Sequence, residues 1–124
     1  GGGNDISSLT QMIVAMKHEK RRFVEKVDFI TSPGFINGGN SRAESGLIAG
    51  GMYRVVTDLA ILGFHKETKA MQVEALHPGV DPEDVKDNTG FEIAITNNVK
   101  RTEPPQENEL AVLRNLDPDR LYTA

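Results

Sequence analysis

Cysteine is absent from the 124 residues, which excludes disulfides, thiolate metal sites and thiol catalysis together. The same absence suits a reducing compartment, and the expected location is cytoplasmic. No apolar run approaches the roughly 18 residues of a helical membrane span. The opening GGGNDISS has neither the basic nor the apolar region of a signal peptide. It also lacks an initiator methionine, so an expression remnant, a processed product or the remainder of something longer is expected. Basic excess is missing too: a formal net charge of −4 and a pI near 5.3 give no footprint for nucleic acid or an anionic membrane.

What is present is ordinary in bulk. Apolar residues at 38% and charged residues at 26% fit a soluble globular chain. The length suits one domain, residues 1–124, with one modest core. GGGNDISSLTQ reads as a tight glycine loop leading into a short helix, with Asn4 or Asp5 as N-cap. MIVAMK is a continuous apolar run, which predicts a strand covered on both faces as in a parallel sheet. VDFITSPG predicts another strand, stopped by Pro33 and Gly34. Residues 34–51 hold six glycines and no apolar period, hence a long loop of the kind that tends to be functional or mobile.

MYRVVTDLAILGF predicts a strand, a bend at Asp58 and a second strand; after the polar turn HKETKA, MQVEAL predicts a third. The helix signal is clearest in HPGVDPEDVKDNTGF: Asp81 caps, Pro82 fits the first helical position, Glu83 and Asp84 suit the positive end, and Gly90 closes it. FEIAIT alternates as a strand. PPQENELAVLRNLDPDR ends the chain with a helix that sets Leu110, Leu113 and Leu116 on one face.

Several stretches carry chemistry in principle. A glycine loop before a helix start holds an anion or a carbonyl oxygen. KHEKRR, residues 17–22, offers phosphate contacts, although Glu19 interrupts it and most such runs are solvated faces. His18, His65 and His77 show no ligand spacing, so no metal site is expected, and His77 before Pro78 reads as a chain turn. No nucleophile elbow is present. RAESGLIAGG sets Glu44 among small residues and glycines, a setting that fits either a carboxylate nucleophile or a charge on a surface turn.

Taken in order, GGGNDI, MKHEKRRFVEKVDFITSPGF, YRVVTDLAILGF, ALHPGV, EDVKDNTGFEI and LAVLRNLDP resemble the family I CoA-transferases, in particular the second half of B subunits of the glutaconate and 3-oxoacid type. The resemblance implies an α/β fold with an open, mostly parallel, Rossmann-like sheet flanked by helices. It implies the C-terminal portion of a subunit about twice this length, paired with an A-type subunit and with the N-terminal half of its own subunit. The implied substrate is a coenzyme A thioester, with no covalently bound cofactor. In the family a glutamate attacks the acyl-CoA, forms an acyl-glutamyl anhydride and becomes a glutamyl-CoA thioester. That glutamate lies upstream of the glycine-rich loop, so the resemblance makes Glu44 a decoy and leaves no catalytic nucleophile in this chain. The backbones of Gly2, Gly3 and Asn4 are implied as oxyanion donors in the CoA-binding loop. Relatives of the same architecture hydrolyse or decarboxylate instead, and a noncatalytic assembly module is the rival reading. MIVAMK and FEIAIT are expected to need covering by other segments.

Overall fold

The computed structural model describes residues 2–122; Gly1, where the expected loop begins, lies outside the described residues. The chain runs α1 (Gly2–Leu9), β1 (Gln11–Ala15), α2 (Ser41–Glu44), β2 (Gly51–Val56), β3 (Ala60–Phe64), β4 (Met71–Leu76), α3 (Pro82–Asp87), β5 (Ala94–Arg101) and α4 (Glu107–Leu116). The β-branched runs on either side of Asp58 become β2 and β3. The bend between them is built by Thr57, whose hydroxyl accepts the Leu59 and Ala60 N–H groups at 3.2 and 2.9 Å. Pro82 opens α3, and the Asp84 carboxylate accepts the Asp81 N–H at 2.8 Å, one arm of a capping box.

The five strands lie in the order β1-β2-β3-β4-β5. β1 is parallel to β2 and β4 to β5, whereas β3 is antiparallel to both neighbours, so four strands point one way and β3 alone is reversed. This is the open, mostly parallel sheet with flanking helices that the family resemblance implies. Val55, Leu62 and Val73 bury one sheet face together with Val85 of α3 and the connecting residues Phe23 and Ile93. Each such burial contributes about 1.5–3 kcal/mol. On the sheet itself Arg54 and Glu74 form an ion pair at 2.8 Å, each about 30% exposed.

Five local expectations are corrected. The helix starts at Gly2, so Gly2 and Gly3 belong to its first turn and neither Asn4 nor Asp5 is its N-cap. β1 is not covered on both faces: it is an edge strand of alternating exposure, with Ile13 63% exposed, because β2 is its sole neighbour in the sheet. Residues 27–33 form no strand; they have no ladder partner, and Phe29 and Ile30 are exposed. The loop of residues 34–51 contains α2. Gly90 is needed not to close α3, whose C-cap is Asn88, but for close backbone approach: its N–H donates to the Phe23 carbonyl at 2.6 Å, and a Cβ there would strike that same carbonyl oxygen. The terminal helix forms where expected, yet α4 buries none of its residues, and Leu113 and Leu116 remain exposed.

Candidate functional site

The first turn of α1 has backbone N–H groups that no helical carbonyl can accept, at the positive end of the helix dipole. Two glycines there destabilise a helix by about 1 kcal/mol each relative to alanine. Packing among the described residues does not require them, for a Cβ at Gly2 or Gly3 would meet no neighbouring described side chain or strand within 4 Å. Asn4 is exposed and borders a cleft of about 370 Å³ whose other walls include Ile30, Thr31, Ser32, Ile36 and Asn37. Ile36 holds a left-handed backbone, φ 56°, which strains a β-branched residue by about 1–3 kcal/mol. Its N–H donates to the Pro33 carbonyl at 2.8 Å, and the Ser41 hydroxyl donates to the Phe35 carbonyl at 2.9 Å, so the turn is fixed from both sides.

Behind α1 sits Arg42, 7% exposed. Its Nη2 donates to the carbonyls of Ser7, Ser8 and Ala49 at 3.0, 2.8 and 2.7 Å, and Nη1 donates to Gly34 at 2.8 Å. Nε is buried without a partner. The guanidinium therefore ties the last turn of α1 to both ends of the glycine-rich segment. It is the residue of RAESG that the structure singles out, although nothing in the sequence points to it. Glu44, two residues on, is exposed at the end of α2, and no described residue bonds to its carboxylate.

His18 likewise gains a role that its place in a charged run conceals. It is 4% exposed and stacked on Phe23 with ring centroids 4.2 Å apart. Nδ1 and Nε2 lie 3.1 Å from the hydroxyls of Thr57 and Thr89, and each hydroxyl has a carbonyl as its further partner, Ala60 and Val85 respectively. In the neutral ring one nitrogen donates to a threonine oxygen and the other accepts a threonine O–H, and the hydroxyl that donates to the ring gives up its carbonyl bond. Burial pushes the imidazole below its usual range, against a smaller opposing pull from Asp58. The Asp58 carboxylate accepts the His18 N–H at 2.7 Å, and that bond holds it below the ordinary carboxylate range.

The basic run offers no open clamp. Glu19 pairs with both Arg21 and Arg22 at 2.8 Å, and Lys17 reaches Asp58 at 3.4 Å, so the charged side chains of the stretch are partly compensated and solvated. His77 turns the chain as expected: its N–H donates to the Leu59 carbonyl at 2.9 Å and Nε2 to the Thr57 carbonyl at 2.9 Å. His65 lies in the β3–β4 turn, where Nδ1 accepts the Thr68 N–H at 3.2 Å. Among the described residues no three His, Cys, Asp or Glu side chains gather as metal ligands. No described helix is long and apolar enough to cross a membrane.

The described residues thus combine an open sheet with one reversed strand and a helix that begins on two glycines. The family model for coenzyme A transferase matches residues 1–88, and the chain belongs to that family. The B subunit of glutaconate CoA-transferase from Acidaminococcus fermentans is 39% identical over 123 residues, covering 98% of this chain and 46% of that one. The crystal structure of that enzyme superposes with a TM-score of 0.90 at 38% identity, covering all of this chain and 48% of its own. The B subunit of 3-oxoadipate CoA-transferase from Pseudomonas knackmussii is 39% identical over 118 residues, 94% of this chain and 45% of that one. The cholesterol ring-cleaving hydrolase IpdB subunit of Rhodococcus jostii is 33% identical over 122 residues, 96% and 46% respectively. The chain spans about half the length of these curated relatives.

Proposed function

We propose that this chain is the C-terminal half of a B-type CoA-transferase subunit, completed by an upstream half and an A-type subunit. The reaction moves CoA between an acyl-CoA and a free carboxylate through a glutamate outside these residues. The carboxylate attacks the thioester carbonyl, the C–S bond breaks, and CoA thiolate leaves an acyl-glutamyl anhydride. The thiolate then attacks the glutamyl carbonyl, the first acid departs as carboxylate, and glutamyl-CoA remains. An acceptor carboxylate reverses the sequence. Every step passes through a tetrahedral oxyanion, and the N–H groups of Gly2, Gly3 and Asn4 are the donors this chain contributes to it. Each such donor is worth about 2.7–4 kcal/mol of barrier in characterised sites. Coenzyme A enters as a thioester substrate, and the cysteine-free chain suits the cytoplasm.

The observation that supports this reading most is the pair of helix-weakening glycines at the start of α1, beside which the described residues leave open space. Glu44 has no part in the reaction. The test is label exchange in the complete complex: acyl-CoA with a labelled free carboxylate, across short dicarboxylates and 3-oxoacids, is expected to yield labelled acyl-CoA. No exchange across the panel would refute the transferase reading. The ring-cleaving hydrolase relative at 33% identity supports a second reading, in which water opens a ring in a CoA-thioester substrate. A ring-opened product that keeps its CoA, without label exchange, would select it.

A further inference from the structure

Arg42 poses a physical question that the fold alone does not answer. A buried guanidinium with no carboxylate beside it is costly, and a well-packed apolar side chain of similar volume is often the more stable choice. Arg42 nevertheless lies buried among carbonyl dipoles, with Nε left over. Its partners show what the charge accomplishes. Two of its bonds end on Ser7 and Ser8, in the last turn of α1, where unsatisfied carbonyls form the negative end of the helix dipole. The other two end on Gly34 and Ala49, at the opposite ends of the segment that carries the strained Ile36 turn and α2. One planar, rigid group thus fixes the angle between α1 and the wall of the cleft beside Asn4.

Little else holds α1. Ser7 is its one buried side chain, while Ile6 and Leu9 are 53% and 71% exposed, so apolar packing within this chain does not seat the helix. Just past its C-terminal end, the Gly51 N–H donates to the Thr10 carbonyl at 3.0 Å. Rotation about that end would carry the first turn furthest. We propose that Arg42 is a positioning residue: it aims the N–H groups of Gly2, Gly3 and Asn4 by holding the opposite end of their helix. The proposal rests on the oxyanion role given to those residues above. It predicts a defect in the transition state rather than in substrate binding, because misplacing a catalytic group by about 1 Å costs on the order of a hundredfold.

The experiment uses the complete enzyme carrying Arg42→Met or Arg42→Lys, with kinetics and amide hydrogen exchange read on the same assembled samples. For Arg42→Met the expected result is a fall in kcat of about 10²-fold with KM within about threefold. Arg42→Lys should recover part of it, because an ammonium keeps the charge and loses the fork. Amide exchange should rise in residues 4–10 and stay unchanged in β3 and β4. If kcat per assembled enzyme stays within about threefold, or exchange rises uniformly, Arg42 is a general fold staple and the proposal is wrong. A raised KM at constant kcat contradicts it as well. Should Arg42→Met not assemble, Arg42→Lys decides by the same readouts. Should the unsubstituted enzyme show no transfer, the proposed function fails on its own, and the exchange pattern still decides whether Arg42 seats α1.

Discussion

His18 and Arg42 are both buried and both join segments distant in sequence, yet they serve opposite kinds of region. Around His18 the chain is complete: both ring nitrogens have hydroxyl partners, Phe23 covers the ring, and the neighbouring Thr57 directly follows β2. Around Arg42 it is open, with a partnerless Nε and a helix whose Ile6 and Leu9 face outward. The contrast extends along the sheet. Leu62 and Val73 of the central strands are fully buried, while Ile13 of the edge strand and Leu116 of α4 are largely exposed. Where polar atoms are all satisfied and apolar ones covered, the chain is stabilising itself. Where they are not, its exposed apolar side chains fit the covering segments proposed above.

The largest effect that separates these regions on the stability side belongs to His18. His18→Ala removes a stacked ring and two hydrogen bonds, and a loss of about 2–4 kcal/mol is expected in denaturant unfolding of the assembled protein. A loss below about 1 kcal/mol would mean that the His18 cluster is not what closes the core. The pH dependence sharpens the point. Because the folded pKa lies below the unfolded one, the unfolded chain binds the extra proton first as pH falls below about 6.5. Stability should therefore be level above that pH and decline beneath it until the folded pKa is reached. His18→Gln, which cannot titrate, should flatten this part of the profile; an unchanged slope would assign it to other groups.

The smallest expected effect is at Glu44. Glu44→Ala should leave turnover of the complete enzyme within about tenfold, under about 1.4 kcal/mol of barrier. A loss of several orders of magnitude would move the nucleophile into this chain and erase the distinction between the Arg42 region as support and the reacting centre.

Strands β2, β3 and β4 and helix α3 were legible because their signals are local: β-branched runs, a polar turn, and Asp81 before Pro82. The family was legible from an ordered set of short stretches. What could not be read was anything set by a distant partner. MIVAMK announces an apolar strand but not its place at an edge, and VDFITSPG has strand composition without a strand to pair with. His18 sits in a charged run, and its burial depends on Thr57 and Thr89, 39 and 71 residues away. Arg42 left no trace at all, because backbone carbonyls accept its hydrogen bonds and these carry no residue signature. Glu44 drew attention for its neighbours, which any glycine-rich turn provides.

The most direct test of the account is to trap the covalent intermediate. The complete enzyme, loaded with acyl-CoA and quenched with hydroxylamine, converts a glutamyl thioester to a hydroxamate that peptide mass spectrometry locates. The expected result is a single modified glutamate outside residues 1–124, with the peptide containing Glu44 unmodified. A hydroxamate on Glu44 would contradict it.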